Sequence, residues 1–227
     1  MQTVRRDREW LIAATIAAIP GSMIAAMIVH SMSAIRPLKL DLYIYQIDAI
    51  LGFQPSFAMG RFLQQHTSLR TAALIAYDGL PFAMVAAILL YAKRGWEALP
   101  IIKAFTVNLF AALLVYLIVP VAGPRYAFSS FPAIEPAIIP HWMYIDAPPN
   151  CIPSVHFSTA LLIYLFARRS PIGRMLSWLY LLLTFAATLG FGEHYLFDLI
   201  IAVPYAALIW RMRALVWFPR QYVPVTG

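Results

Sequence analysis

Of the chain's 227 residues, 62% are apolar and only 12% are charged. A soluble domain carries about 25% charged residues, so the composition excludes an ordinary soluble protein and calls for a bilayer. The formal net charge of +7 gathers at the ends of apolar stretches rather than on a polar face, which argues against a nucleic-acid partner. A single cysteine, Cys151, excludes an intramolecular disulfide and a cysteine-only metal site.

Six apolar segments follow one another along the chain. Trp10 to His30, Thr71 to Ala92 and Leu99 to Val121 each reach the roughly 20 residues that a helix needs to cross a hydrocarbon core. The basic stretch Met1 to Glu9 precedes a long apolar run without a clear small-residue cleavage site, so no cleavable signal peptide is expected. Pro153 to Ala167, Ile172 to Gly190 and His194 to Trp210 are shorter. The first of these reaches only about 22 Å at 1.5 Å per residue, so its N-terminus is expected below the membrane surface or beside an irregular segment.

Two polar loops separate these segments. Ser31 to Arg70 contains a candidate amphipathic helix, Leu40 to Leu51, and the turn signal Gly52-Phe53-Gln54-Pro55. Its moderate hydrophobicity predicts a piece lying at the membrane interface. Ala122 to Ile152 holds Pro124, Pro132, Pro136, Pro140, Pro148 and Pro149, and such a long aperiodic stretch reads as a functional or a disordered loop.

Basic residues set the orientation. Arg5, Arg6 and Arg8 precede the first segment, and Lys93 and Arg94 lie between the second and third. Arg168, Arg169 and Arg174 lie between the fourth and fifth, and Arg211, Arg213 and Arg220 follow the sixth. Six crossings put all of these on one side, which the positive-inside rule makes cytoplasmic. The N-terminus is then cytoplasmic, and the proline-rich loop is extracytoplasmic.

Three polar groups converge on that outer side. Pro153-Ser154-Val155-His156 opens the fourth segment, and Gly192-Glu193-His194-Tyr195, with Asp198 following, opens the sixth. Gly123-Pro124-Arg125-Tyr126 lies just past the third. The distance from His156 to His194 suits one helix down, a turn at Ser170-Pro171-Ile172-Gly173, and one helix back. His194 and Asp198 are four residues apart, hence on one side of a helix. There Asp198 is expected to accept the Nδ1 proton of His194 and leave Nε2 as the nucleophile. Ser154 suits the N-cap of a helix whose free N–H groups favour phosphate. His156, in the first turn, is placed as a proton donor. Arg125 is a planar fork of donors matched to phosphate oxygens, with Tyr126 beside it as a further candidate contact.

These residues resemble the type-2 phosphatidic acid phosphatase superfamily of lipid phosphatases and haloperoxidases, and more narrowly the branch that includes the inositol phosphorylceramide synthases. The superfamily's Pro-Ser-x-His motif is matched at Pro153, Ser154 and His156, and its His-x-x-x-Asp motif at His194 and Asp198. The branch's Gly-x-His-Tyr form is matched at Gly192, His194 and Tyr195, and the first motif only in part, at Pro124-Arg125. The resemblance covers about Thr71 to Arg213. Departures stand beside it: the lysine expected seven residues before the arginine is Ile118, the Gly of Pro-Ser-Gly-His is Val155, and the expected Ser-Arg falls at Ala187 and Thr188.

Bland readings compete for the same residues. Arg125 is also a possible headgroup anchor, and His194 with Asp198 a possible interfacial hydrogen-bonded pair. Asp78 and Lys103 either pair across helices or line a polar cavity. His30, His66 and His141 read as interface or loop residues, and Tyr77, Trp142 and Tyr144 as interface aromatics or headgroup contacts. His156, His194 and Asp198 also have the composition of a two-histidine, one-carboxylate metal site. The expectation as a whole is a single membrane-embedded domain over residues 1–227. It is all-α, a six-transmembrane-helix bundle with an interfacial amphipathic segment and an extracytoplasmic active site. Its partners are the bilayer, a lipid phosphate, and water or an alcohol acceptor, with no nucleic acid, metal or cofactor.

Overall fold

The structure is a computed structural model and describes residues 20–21, 23–93, 99–134, 139–168 and 170–216. Most of the first expected crossing, Trp10 to His30, therefore lies outside the described residues; its end appears in α1 (Met23–Ile35). After α1 come the short strand β1 (Leu38–Lys39), α2 (Asp41–Ala49), α3 (Pro55–Gln65), α4 (Thr67–Asp78) and α5 (Leu80–Lys93). The second half holds α6 (Leu99–Ile118), α7 (Pro124–Ala127), β2 (Met143–Tyr144), α8 (Val155–Ala167), α9 (Pro171–Gly190) and α10 (Leu196–Val216).

Helix α8 is the hub, packing against α5, α6, α9 and α10. Its residues Phe157, Thr159, Ala160, Leu162, Ile163 and Phe166 are buried around the helix rather than along one stripe, as a central helix requires. Polar side chains fix its position against α6. Ser158 Oγ donates to Asn108 Oδ1 at 2.8 Å, and Asn108 Nδ2 donates to Thr159 Oγ1 at 2.9 Å. Tyr116 Oη, near the end of α6, donates to the carbonyl of Pro153 at 3.1 Å. Between helices whose other contacts are apolar, such bonds set register because the alternative is a bare polar group.

Among the described residues, two helices are long and apolar enough to cross a membrane, α6 and α9, and α4 with α5 forms a third candidate bent by 66°. Phe110, Leu114 and Ile118 on α6, and Ile172, Met175 and Leu179 on α9, turn outward. Exposed apolar area of that kind is consistent with a membrane protein.

The single crossing expected over Thr71 to Ala92 is thus two helices, and the cause is local. Pro81 has no N–H to donate to the carbonyl of Tyr77, and its ring crowds that carbonyl. Gly79 closes α4, its N–H donating to the carbonyl of Ile75 at 2.9 Å. α3, which starts at Pro55, was not anticipated beyond the turn signal before it; it packs with α4 against α9.

Helix α2 forms where the amphipathic segment was expected, with both apolar and acidic residues on its buried face. Asp41, Leu42, Ile44, Tyr45 and Asp48 are buried, whereas Tyr43, Ile47, Ile50 and Leu51 are exposed. The two aspartates point inward because unpaired backbone donors await them there. The described part of the proline-rich loop is tied down at two places by pairing. β1 and β2 are antiparallel, with Leu38 opposite Tyr144 and Lys39 opposite Met143. Cys151 N–H donates to the carbonyl of Val121 at 3.0 Å, which returns the loop to the end of α6.

Candidate active site

The polar groups singled out in the sequence meet at one end of the bundle, above a core of Tyr45, Phe57, Val121, Phe128, Ile152 and Tyr195. Ser154 caps α8 as expected, its Oγ accepting the N–H of Phe157 at 3.3 Å. His156 lies in the first turn, and its ring stacks on Tyr77 with centroids 4.0 Å apart and planes 6° from parallel. The break before Pro81 leaves Tyr77 at the end of α4, free to face α8.

His194 and Tyr195 precede α10 rather than lying within it, so the expected helical His–Asp pair is modified. Nδ1 of His194 lies 2.9 Å from the carbonyl oxygen of Cys151 and 3.6 Å from Asp198 Oδ2. A carbonyl only accepts, so Nδ1 is the donor and Nε2 keeps its lone pair. The tautomer is the expected one, but the backbone of Cys151 sets it. Asp198 is a neighbouring carboxyl group at ion-pair distance, too far for a hydrogen bond.

Asp198 is held by other contacts. Its Oδ2 accepts the N–H of Tyr195 at 2.8 Å and the thiol of Cys151 at 2.5 Å. The first bond reaches back to the residue before the helix, as the acid of a capping box does. The next two donors of α10, the N–H groups of Leu196 and Phe197, go to Asp48 Oδ2 and Oδ1 at 2.8 and 3.0 Å. Asp41 does the same for the loop after α6, accepting the N–H groups of Ala122 at 3.0 Å and Gly123 at 2.7 Å. Tyr195 Oη also donates to Asp41, at 3.2 Å. Ser56 Oγ, from α3, donates to the carbonyl of His194 at 2.8 Å.

The Arg125 loop is pressed onto the turn before His194. Arg125 N–H donates to the carbonyl of Gly192 at 2.9 Å. Gly123 has φ 115°, and a Cβ there would lie 2.4 Å from the carbonyl oxygen of Glu193, so only glycine permits this approach. Gly192 has φ 70°, and a Cβ there would meet the Phe131 ring at 2.9 Å. The side chain of Arg125, expected as a phosphate clamp, is engaged by a carboxylate: Arg125 Nη1 is bonded to Glu193 Oε1. The guanidinium also lies 5.0 Å from the centre of the Tyr126 ring, and Tyr126 Oη is 3.4 Å from Glu193 Oε2. His30, His66 and His141 are exposed, as are Trp142 and Tyr144.

Among the described residues, the potential metal donors that come within 4.8 Å of one another are Cys151, His194 and Asp198, not the two histidines with Asp198. Their protons suit a hydrogen-bond network better than an ion. Metal ligation needs a thiolate, yet burial, and then the nearby Asp198, push the Cys151 thiol well up from its ordinary value.

The family model of the PAP2 superfamily matches residues 42–212. The chain belongs to the PAP2 superfamily. No curated protein and no solved structure matches in the companion comparisons. Membership supports a lipid phosphatase or phosphotransferase type of function, and the matched stretch contains every sequence-predicted site residue.

Sequence reasoning missed the roles of Asp41, Asp48, Glu193, Cys151 and Ser56, and read Tyr77 as an interface aromatic or headgroup contact rather than as the stacking partner of His156. Burial raises both α2 aspartates to about 6, against the opposing pull of their backbone bonds. An acid pKa raised by folding favours the fold most below the unfolded value, and that contribution is lost as pH rises through about 6. At neutral pH the charged carboxylates thus serve position more than stability. Asp48→Asn is expected to lower kcat about 10- to 100-fold by letting the start of α10 shift, while the thermal midpoint changes little. A collapse in thermal midpoint with activity per folded molecule preserved would contradict this.

Proposed function

We propose that the chain is an integral membrane lipid phosphatase or phosphotransferase that works through a phosphohistidine at His194. The observation that carries this reading is the hydrogen bond from His194 Nδ1 to the Cys151 carbonyl, with Asp198 3.6 Å from the same nitrogen, which leaves Nε2 as the nitrogen with the free lone pair. Nε2 attacks phosphorus in line; the N–P bond forms as the bond to the lipid oxygen breaks. His156 gives its proton to the departing oxygen, which leaves as the lipid alcohol. The ring of His194 becomes cationic, and Asp198, whose Oδ1 is buried without a hydrogen bond among the described residues, stabilises that charge. Arg125, Ser154 and the free N–H groups at the start of α8 hold the nonbridging oxygens, with Tyr126 at their rim.

In the second half, His156 takes a proton from the acceptor, whose oxygen displaces His194 from phosphorus. Water as acceptor makes the enzyme a phosphatase, and a lipid or sugar alcohol makes it a transferase. The resemblance to headgroup synthases in the Gly-x-His-Tyr motif favours the transferase variant. No metal enters either step.

Brief mixing with ³²P-labelled phosphatidic acid in EDTA tests the mechanism. An acid-labile label on the wild-type chain is expected, and none on His194→Ala. His156→Ala is expected to lose about 10²- to 10⁴-fold with alkyl phosphates. It should still form phosphoenzyme from p-nitrophenyl phosphate, whose leaving group needs no proton. Label on His194→Ala but never on His156→Ala would reverse the two roles. Loss of label in EDTA, restored by one metal, would favour a metal mechanism.

The same reading places the N-terminus in the cytoplasm and the site outside it, in a six-crossing topology supported by the distribution of basic residues. Cysteine at the exposed Ser129, in a background lacking Cys151, should react with an impermeant maleimide in intact cells. Protection there would overturn the orientation.

A further inference from the structure

We propose, resting on the phosphotransfer reading above, that Glu193 is a specificity-determining residue. By occupying Arg125 it makes the site favour a phosphate group with one negative charge, a phosphodiester, over a doubly charged phosphomonoester.

The pair is built into the backbone. Arg125 and Glu193 lie on segments joined by the Arg125 N–H bond to the Gly192 carbonyl, and Gly123 lets the Glu193 carbonyl approach closely. The Glu193 side chain is 12% exposed, against 49% for Arg125, so the carboxylate is the fixed member. Partial burial works against the guanidinium's charge, but Glu193 outweighs it and the arginine's pKa is raised. This differs from a loose surface ion pair, whose partners separate at little cost.

The local charge balance is negative. Glu193, Asp198 and Asp41 surround the turn at His194, and Arg125 is the cation bonded to that turn. Lys39, beside Asp41, is fully buried and donates to the carbonyls of Arg36 and Ile145. A guanidinium has five N–H donors, so Arg125 can hold Glu193 with one edge and a singly charged phosphate with the rest. A second negative charge on that phosphate meets Glu193 and Asp198 with Arg125, already bonded to Glu193, as the cation at that turn among the described residues. A like charge within about 4–6 Å disfavours an ionised group by roughly one to three pK units, or about 10- to 1000-fold. The penalty falls on the dianion.

The groups facing Glu193 are Arg125 and Tyr126 from α7, Tyr77 from α4, and the Cys151 thiol at its carbonyl. Burial, and then Glu193 itself, raise the Tyr126 phenol, which stays neutral near pH 7. His156, His194, Asp41 and Asp48 are the same in Glu193→Gln, so the change in the substrate ratio between the two proteins at one pH isolates Glu193.

Phosphatidic acid and phosphatidylglycerol with the same acyl chains form the test pair, since both release diacylglycerol. The full chain in mixed micelles is assayed for kcat/KM with each, from pH 5.5 to 8. At pH 8 the wild-type chain is expected to prefer the diester by about tenfold or more. The preference should narrow as pH falls through the monoester's second ionisation, near about 6. Glu193→Gln should cut the pH 8 preference about tenfold, and Glu193→Asp should keep most of it. A wild-type ratio that does not vary with pH overturns the proposal, and that arm stands even if Glu193→Gln fails to fold. A ratio left unchanged in a folded Glu193→Gln overturns it equally. Turnover of neither lipid by the wild-type chain overturns the phosphotransfer reading, and this proposal with it.

Discussion

The hydrogen bond from Nδ1 of His194 to the carbonyl of Cys151 joins the segment entering α10 to the segment entering α8. It is short, buried and one-directional, because a carbonyl has no proton to give back. Through it, the place of His194 depends on the place of Cys151, three residues before the cap of α8. Cys151 returns the dependence through its thiol, which holds Asp198. One residue thus fixes the tautomer of the histidine with its backbone and the position of the neighbouring carboxylate with its side chain.

The rest of the site addresses a problem that any polar centre in an apolar bundle must meet. Helix ends and turns leave backbone donors unpaired, and burying these without partners costs free energy. Here α2 supplies the partners, with Asp41 on the Ala122–Gly123 turn and Asp48 on the first residues of α10. The two elements so held carry Arg125 and Asp198. Burying the two carboxylates is unfavourable in itself, which is why both pKa values are raised to about 6. The outward face of α2 carries Tyr43, Ile47, Ile50 and Leu51, while its inward face adds Asp41 and Asp48 to an otherwise apolar core.

What was legible in the sequence was local. Pro-Ser-x-His at a helix start, His-x-x-x-Asp and an arginine between two segments carry their chemistry in residue type and spacing, and the structure brings them to one end of the bundle. The limits of α6, α8 and α9 also followed closely from apolar length. What could not be read was which distant group satisfies which. Asp41 and Asp48 stand seven apart, a spacing that marks one helix face but not whether it looks inward. Glu193 lay inside a motif whose middle position is unspecified, so its bond to Arg125 had no signal. The bend after Asp78 did have one, in Gly79 and Pro81, but apolar length outweighed it. Cys151 appeared only as a solitary thiol, since its carbonyl, the group that matters to His194, is common to every residue.

Nitrogen-15 spectra of the full chain labelled at histidine, with His194 assigned by difference against His194→Ala, locate the proton directly. At neutral pH the account predicts a protonated Nδ1 and a bare Nε2 on His194. A spectrum in which Nε2 carries the proton and Nδ1 is bare would contradict it, because the lone pair would then face the Cys151 carbonyl instead of a phosphorus atom.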